Sequence, residues 1–326
     1  MKRIFSGIQP TGEIHLGNYV GAIRNWVTLV DKYDCIFCVV DYHAITIDYE
    51  IEKLADRTID TVSILLACGL RPEKCKIFVQ SRIPEHTELA WIFNCVTPIG
   101  ELERMTQFKD KSKQHRANIN MGLMGYPVLQ AADILLYRAG FVPVGEDQVQ
   151  HIELSREVAR KYNDKYGNYF PEPQAILSMA PKILGVDGAS KMSKSMNNYI
   201  GLLEEEKSIW EKLRTAVTDV SRIRRKDPGN PEVCNIYTIH RAFSPDSTLL
   251  EVGNGCRNAT IGCIDCKTML FKNMMEELTP IRERADYLNK KKDYIKDVIN
   301  EGTYQCCIIA KETMNDVRKS IGLFSD

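Results

Sequence analysis

Through its first half the chain alternates short apolar runs with amphipathic segments, and that alternation leaves few folds open. Lys2 to Ser6, Cys35 to Val40, Ile77 to Val79 and Phe141 to Val144 read as buried strands. Between the second and third, Ile51 to Cys68 carries apolar residues at 51, 54, 55, 59, 62, 65 and 66, the spacing of one helix face. Strands separated by helices imply a parallel sheet, because parallel neighbours need a long crossover. In such a sheet the ligand crevice lies beyond the carboxyl ends of the strands, where the loops after Ser6, Val40 and Val144 converge. After Ser195 the pattern turns helical over Leu202 to Val217, Cys234 to Phe243, Met269 to Leu288 and Asp293 to Val317. Asp227-Pro228-Gly229-Asn230-Pro231 breaks it. The expected fold class is α/β, a parallel-sheet region followed by an all-helical one.

Charge and cysteine usage narrow the partners. Lys+Arg and Asp+Glu are 43 each, so a nucleic acid must be held by local basic patches, and bulk coating of DNA is excluded. Two such patches are Lys109, Lys111, Lys113 and Arg116, and Arg222, Arg224, Arg225 and Lys226, which read equally as solvated faces. No stretch approaches the ~20 apolar residues of a membrane span, and Lys2-Arg3 leads into polar residues rather than an apolar signal core. A cytoplasmic location without membrane attachment is expected. Eleven cysteines in such a chain point to reduced thiols and a metal site rather than to disulfides.

Two short motifs carry chemistry. His15-Leu16-Gly17-Asn18 follows the first strand and the turn-rich Gly7-Ile8-Gln9-Pro10-Thr11-Gly12, and it opens a helix. A helix start offers unpaired N–H groups and a positive dipole end to phosphate, and Gly17 lets a flat base approach the backbone. Lys191-Met192-Ser193-Lys194-Ser195 supplies two mobile ammonium groups in a loop rich in glycine and serine. Such a loop stabilises charge moving onto a leaving pyrophosphate; its plain alternative is a solvated Lys/Ser loop. Together the motifs indicate adenylate-forming chemistry on ATP.

A third element is a polar stripe. If Pro127 lies in a first helical turn, Tyr126, Gln130, Asp133 and Tyr137 share one face of an otherwise apolar helix. Asp133 can then accept a hydrogen bond from a buried substrate N–H, or be satisfied by its own neighbours. Gly145-Glu146-Asp147-Gln148 emerges at the end of the Phe141 to Val144 strand, where nucleotide ribose is commonly gripped; it reads equally as a helix cap with an acidic first turn. His43 is a further crevice candidate, with a structural role as its alternative.

The two motifs resemble the hallmarks of class I aminoacyl-tRNA synthetases. Ser6 to Gly12, Asp41 to Thr46, Ile99 to Lys109, Ala131 to Tyr137 and Val142 to Gln148 resemble bacterial-type tryptophanyl-tRNA synthetases more closely. The resemblance implies a Rossmann-type catalytic domain over 1–195 and a helical tRNA anticodon-binding domain over 196–296, with a last helix at about 297–326 packing back on the first. It also implies L-tryptophan, ATP with Mg2+, tRNA(Trp) and a homodimer. Carried over residue by residue, the catalytic set is Lys191, Lys194, His15 and Asn18. ATP falls to Gln9, Pro10, Thr11, Gly17, Asn18, Gly145, Glu146, Asp147, Ile183, Lys191, Met192, Ser193, Lys194 and Ser195. Asp133 holds the indole N–H, with Phe5, Gln9, Val40, His43, Tyr126, Gln130, Val142, Val144 and Gln148 around it. Asn18 stands where the general class I motif has a second histidine. Tyrosyl-tRNA synthetase, and a non-catalytic redox-responsive RNA-binding relative, are the rival readings.

Cys234, Cys256, Cys263 and Cys266 fall as C-x21-C-x6-C-x2-C. Four thiolates satisfy tetrahedral zinc or an iron-sulfur cluster, and with only one C-x2-C knuckle the spacing leans to the cluster. Some synthetases of the resembled kind carry a 4Fe-4S group on such a quartet. Cys35 and Cys38, also C-x2-C, sit in a strand and read as core.

Overall fold

Five strands, β1 (Arg3–Ile8), β2 (Asp34–Val39), β3 (Cys75–Val79), β4 (Phe141–Val144) and β5 (Gln174–Leu177), form one parallel sheet in the order β3-β2-β1-β4-β5. The computed structural model describes residues 1–109, 119–178, 181, 183–193 and 196–324; Lys111, Lys113, Arg116, Lys194 and Ser195 lie outside the described residues. Helices fill the connections: α1 (Leu16–Asn18), a π-helical turn (Tyr19–Ile23), α2 (Arg24–Leu29), α3 (Asp41–Ala44), α4 (Ile51–Ala67), α5 (Glu85–Asn94), α6 (Ile99–Arg104), α7 (Met121–Leu135) and α8 (Val149–Tyr166). After the sheet come α9 (Glu206–Thr215), α10 (Asn235–Phe243), α11 (Asp246–Arg257), α12 (Cys263–Asn289) and α13 (Lys292–Ser320).

The chain divides into two compact units. The first comprises Met1–Gly12, Trp26–Ser178 and Lys291–Asp326, and the second Glu13–Asn25 and Met179–Lys290. This division runs elsewhere than 195, since Glu13–Asn25 and the lysine-loop region group with the helical residues.

In the first unit β2 is buried from Cys35 to Val39, as its unbroken apolar run requires of a strand covered on both faces. Cys35 and Cys38 are core residues there, and burial pushes both thiols up. Trp26 stacks on Phe37 with ring centroids 4.8 Å apart. The last helix, α13, crosses β3 at Gly302, where a Cβ would overlap the Ile77 carbonyl oxygen. In the second unit α9 to α12 pack together, and Trp210 meets Phe271 at 5.5 Å. Lys267, only 4% exposed, donates through Nζ to the carbonyls of Arg214 (2.9 Å) and Ala216 (2.7 Å), capping the end of α9.

Three expectations need correction. Pro127 lies inside α7 rather than in its first turn, because Asn120 caps the helix earlier, its Oδ1 accepting from Leu123 N at 2.9 Å. The segment expected from Leu202 turns helical only at Glu206, because Glu205 is extended (φ -61°, ψ 143°) and serves as the N-cap. Helix α12 starts at Cys263 rather than Met269, because Asp265 reaches back to Gly262 N–H at 2.8 Å and closes a capping turn. Strand β5, a four-residue edge strand of half-buried and exposed residues, was not among the strands expected, its apolar run being only Ala175-Ile176-Leu177.

Replacing Gly302 with alanine forces α13 off β3. We expect a loss of about 1–3 kcal/mol in unfolding free energy, seen as a lower denaturant midpoint.

Candidate active site

In the first unit the carboxyl ends of β2 and β3 lead into α3 and a short 3-10 turn, Gln80–Arg82, and these meet α5 and α7 around one carboxylate. Asp133 is 1% exposed. Its Oδ1 accepts from Gln80 Nε2 at 2.6 Å and pairs with His86 Nδ1 at 2.7 Å, while Oδ2 pairs with His43 Nε2 at 2.7 Å. Burial alone would raise its carboxyl; hydrogen bonds and charge from His43 and His86 outweigh burial and hold it at about 2, below the ordinary 3.8. Of the residues expected around it, Phe5, Val40, Tyr126 and Val142 are buried in this unit, and Gln9, Gln130, Val144 and Gln148 are half-buried. Tyr126 meets the His43 ring edge-on at 6.4 Å, and its hydroxyl lies 3.1 Å from His151 Nε2. Tyr137, the end of the polar stripe, lies just past α7 with its hydroxyl 2.8 Å from His86 Nε2. Neither Gln80 nor His86 showed in the sequence, since each stands among other polar residues, Ser81 and Arg82 in the turn and Glu85, Thr87 and Glu88 on α5, with no spacing that marks it out.

Gly145 precedes the 3-10 turn Glu146–Gln148 and accepts from Gln148 N–H at 3.0 Å. A Cβ on Gly145 would sit 2.9 Å from Asp147 Oδ1, so the carboxylate folds over a glycine-sized space. Gln107 Nε2 donates to the Asp147 carbonyl at 2.9 Å, which ties the Met105 to Lys109 stretch to this turn. Pro10 is buried, while Thr11, Glu146 and Asp147 are exposed.

The second unit brings the two nucleotide motifs together. Leu16 N–H donates to Ile200 O (3.0 Å) and Leu202 N–H to Ile14 O (2.8 Å), an antiparallel clasp with His15 opposite Gly201. Met192 of the lysine loop is buried, its Cβ 3.7 Å from where a Cβ on Gly17 would lie. His15 and Asn18 form a reciprocal cap: Asn18 N–H donates to His15 Nδ1 (3.3 Å) and His15 N–H to Asn18 Oδ1 (3.2 Å). Because Nδ1 accepts, the ring proton sits on Nε2, which is a donor. The ring covers Gly17, where a Cβ would lie 3.0 Å from it. Asn18 thus serves as the cap that orients His15. The turn beyond is held by Tyr19 and Arg24, which reach Glu277 of α12 at 2.5 and 3.1 Å.

Asn198, which the sequence reading did not single out, organises the lysine loop. Its Nδ2 donates to Asp187 Oδ2 (2.8 Å), Ser190 Oγ (2.9 Å) and Lys191 O (3.3 Å), and its Oδ1 accepts from Ser193 N–H (2.7 Å). Lys191 is exposed and Ile183 is buried. Asn235 Oδ1 accepts from Leu184 N–H at 3.3 Å, and its Nδ2 donates to the Gly185 carbonyl at 2.8 Å.

Asn235 follows Cys234, the first of the four cysteines. Burial pushes the Cys266 thiol up to about 12, and the charges of Cys234, Cys256 and Cys263 add to it. Arg222 Nη1 lies 3.8 Å from Cys256 Sγ and 4.0 Å from Cys263 Sγ, and its Nη2 donates to the Ile261 carbonyl at 2.7 Å. That guanidinium is thereby withdrawn from the basic patch with which it was grouped. Among the described residues no three His, Cys, Asp or Glu side chains converge with the spacing of metal ligands.

Residues 1–279 match the family model of class I tRNA synthetases for tryptophan and tyrosine. The chain is 53% identical over 327 residues to the tryptophan–tRNA ligase of Deinococcus radiodurans, covering 99% of each. It is 47% identical to that of Thermotoga maritima, over 98% of this chain and 99% of the relative. A crystal structure of Campylobacter jejuni tryptophanyl-tRNA synthetase complexed with ADP and tryptophan superposes with a TM-score of 0.87 at 34% identity, covering 98% of this chain and 100% of that one. The chain belongs to the class I tRNA synthetases for tryptophan and tyrosine. Within them, its full-length likeness is to the tryptophan–tRNA ligases.

Asp133 also gives a pH signature. A carboxyl held below its unfolded value stabilises the fold above that value, and this contribution is lost as pH falls through the folded one. From pH 4 down to pH 2 wild type should therefore lose on the order of 2 kcal/mol more unfolding free energy than Asp133→Asn. Urea unfolding at several acid pH values measures it.

Proposed function

We infer that this chain is a tryptophan–tRNA ligase, which activates L-tryptophan with ATP to tryptophanyl-adenylate and pyrophosphate and then esterifies the terminal ribose of tRNA(Trp). The observation that carries the reading is the clasp between Ile14–Leu16 and Ile200–Leu202, which sets both nucleotide motifs in one place. The tryptophan carboxylate attacks the α-phosphate in line, and pyrophosphate leaves with the bonding electrons. The tRNA 2'-hydroxyl then attacks the adenylate carbonyl and AMP leaves. No side-chain nucleophile takes part, so alignment and charge stabilisation supply the rate. ATP enters as its Mg2+ complex, which neutralises phosphate charge.

His15 offers Nε2–H to a phosphate, with Asn18 holding its ring, and Lys191 and Lys194 follow the charge onto pyrophosphate as it departs. Gln9, Pro10, Thr11, Gly17, Gly145, Glu146, Asp147, Ile183, Met192, Ser193 and Ser195 form the remaining ATP surface. Asp133 reads the indole N–H, with Phe5, Val40, Val142 and Val144 as apolar walls and Gln9, His43, Tyr126, Gln130 and Gln148 as polar neighbours. The sheet region, 1–195, carries activation, and 196–296 carries the anticodon end of the tRNA. Exposed Trp91, Ile99 and Met121 on α5, α6 and α7 support a homodimer. No helix among the described residues is long and apolar enough to cross a membrane, which accords with a cytoplasmic place beside tRNA.

The four cysteines suit a 4Fe-4S cluster, with zinc as the alternative. They come from a 33-residue span onto the starts of α10 and α12 and the end of α11. A Cβ on Gly229 would lie 2.7 Å from Cys256 Sγ, and Arg222 Nε is buried without a hydrogen-bond partner among the described residues. A cation with an unspent donor beside two of the thiols, Cys256 and Cys263, fits an anionic thiolate centre. When bound, the group cross-links the three helices through Cys234, Cys256, Cys263 and Cys266.

Amino-acid-dependent ATP–pyrophosphate exchange tests the activity, with tryptophan, tyrosine and phenylalanine compared under anaerobic conditions. Exchange should appear with tryptophan alone, and Lys194→Ala should lower turnover by about a hundredfold while changing tryptophan affinity little. Exchange with tyrosine instead would refute the tryptophan reading, and unaltered adenylate formation in Lys194→Ala would remove that lysine from the mechanism. For the cysteines, anaerobically purified protein should contain iron and acid-labile sulfide and absorb in the visible. Colourless protein with stoichiometric zinc would replace the cluster with zinc.

A further inference from the structure

We propose that His86 is a positioning residue for substrate choice: with Gln80 it saturates Oδ1 of Asp133, so that a single acceptor position, on Oδ2, is left for the indole N–H. The proposal rests on the tryptophan reading of this site.

An ionised carboxylate offers roughly four acceptor positions, two on each oxygen. Gln80 Nε2 (2.6 Å) and His86 Nδ1 (2.7 Å) take both on Oδ1, and His43 Nε2 (2.7 Å) takes one on Oδ2. One is left. The orientation of Gln80 is settled by its other end, since Oε1 accepts from Tyr42 N–H at 3.1 Å and the amide nitrogen must therefore face the carboxylate. The Nδ1 proton of His86 is settled in the same way. Asp133 accepts, so Nδ1 carries a proton, and Nε2 faces the Tyr137 hydroxyl at 2.8 Å. Burial raises Tyr137 well above its ordinary value, so the phenol stays protonated beside Nε2.

His86 and Gln80 are both wholly buried, and the His86 ring stacks on Phe78 with centroids 5.7 Å apart. His86 sits on the ten-residue α5, whereas His43 sits on the four-residue α3. The firm donor is therefore the one on Oδ1. Without it, Oδ1 regains an empty acceptor position, the carboxylate can turn about its Cβ–Cγ bond, and its proton affinity rises. A ring lacking N–H then loses less against tryptophan, because the site no longer depends on one remaining donor.

Around this cluster Cys38 comes from β2, Asp41 and His43 from α3, Glu85 and His86 from α5, Tyr126 from α7, Tyr137 from its end and Cys306 from α13. Removing His86 therefore leaves Gln80 and His43 as the hydrogen-bond donors to Asp133 among the described residues, of which His43 also lowers its pKa by charge.

The test compares tryptophan with 3-benzothienylalanine, which has sulfur in place of the indole N–H, in pyrophosphate exchange by full-length wild type, His86→Leu and His86→Asn across pH. His86→Leu should lower kcat/KM for tryptophan at least about tenfold, mostly through KM, and leave KM for ATP unchanged. Benzothienylalanine should fall by less than about twofold, so discrimination shrinks, and the acid limb of the tryptophan profile should move up in pH. His86→Asn, which places an amide N–H where Nδ1–H was, should restore most of the discrimination. Equal losses for both amino acids, or an unmoved acid limb in folded protein, would overturn the proposal. Should His86→Leu fail to fold, Gln80→Leu removes the other Oδ1 donor from a different element, and unchanged discrimination there overturns it equally. If the tryptophan reading itself is wrong, wild type shows no tryptophan-dependent exchange, and the proposal falls with it. Failure of the His86 role alone leaves wild-type exchange intact.

Discussion

One buried charge ties the ends of the central strands to the helices around them. An isolated carboxylate taken out of water costs several kcal/mol, and it stays ionised only where donors replace the lost water. Asp133 finds three, and each comes from a different element: His43 from α3 after β2, Gln80 from the turn after β3, and His86 from α5. Any shift of α7 leaves a buried charge short of a donor, so these elements hold one register. The network also uses backbone, through the Tyr42 N–H that faces Gln80. A polar cluster so fully paired rigidifies its surroundings, which an apolar core of the same size does not do.

In the second unit the ordering falls to two asparagines. Asn198 draws Asp187, Ser190, Lys191 and Ser193 around one amide, and Asn235 holds the backbone of Leu184 and Gly185 from the start of α10. The Lys191 side chain is exposed while its carbonyl accepts from Asn198 Nδ2. On the proposed reading, an exposed ammonium is placed to follow a departing phosphate. Asn235 is also one residue from Cys234, so whatever orders the four thiols bears directly on the backbone that precedes the lysine loop.

The sheet was legible because buried parallel strands write unbroken apolar runs, and the helix face bearing Asp133 because i, i+4, i+7 spacing survives burial. What surrounds Asp133 was not. Of its three donors only His43 was a candidate in the sequence; Gln80 and His86 stand among other polar residues on their elements, and only the fold sets all three within 3 Å of one carboxylate. Asn18 shows the same limit. In the sequence it is a departure from a histidine, and in the structure it is half of a reciprocal cap that orients His15. Pro127 misled because proline marks a helix start in general, whereas here an earlier asparagine cap carries the helix through it.

Specificity in such a site follows from leaving one acceptor unpaired rather than from adding contacts. A fully satisfied carboxylate would bind no ring donor, and a loosely held one would turn to accommodate any ring. With three positions filled by buried donors, a ligand N–H completes the set, and a ring without it leaves a buried charge one bond short. Removing a partner from a buried charged group costs more than forming the bond gains, so the penalty falls on the wrong ring rather than the reward on the right one. On the proposed reading, preorganisation thus turns the desolvation cost of Asp133, already met in folding, into discrimination at the moment of binding.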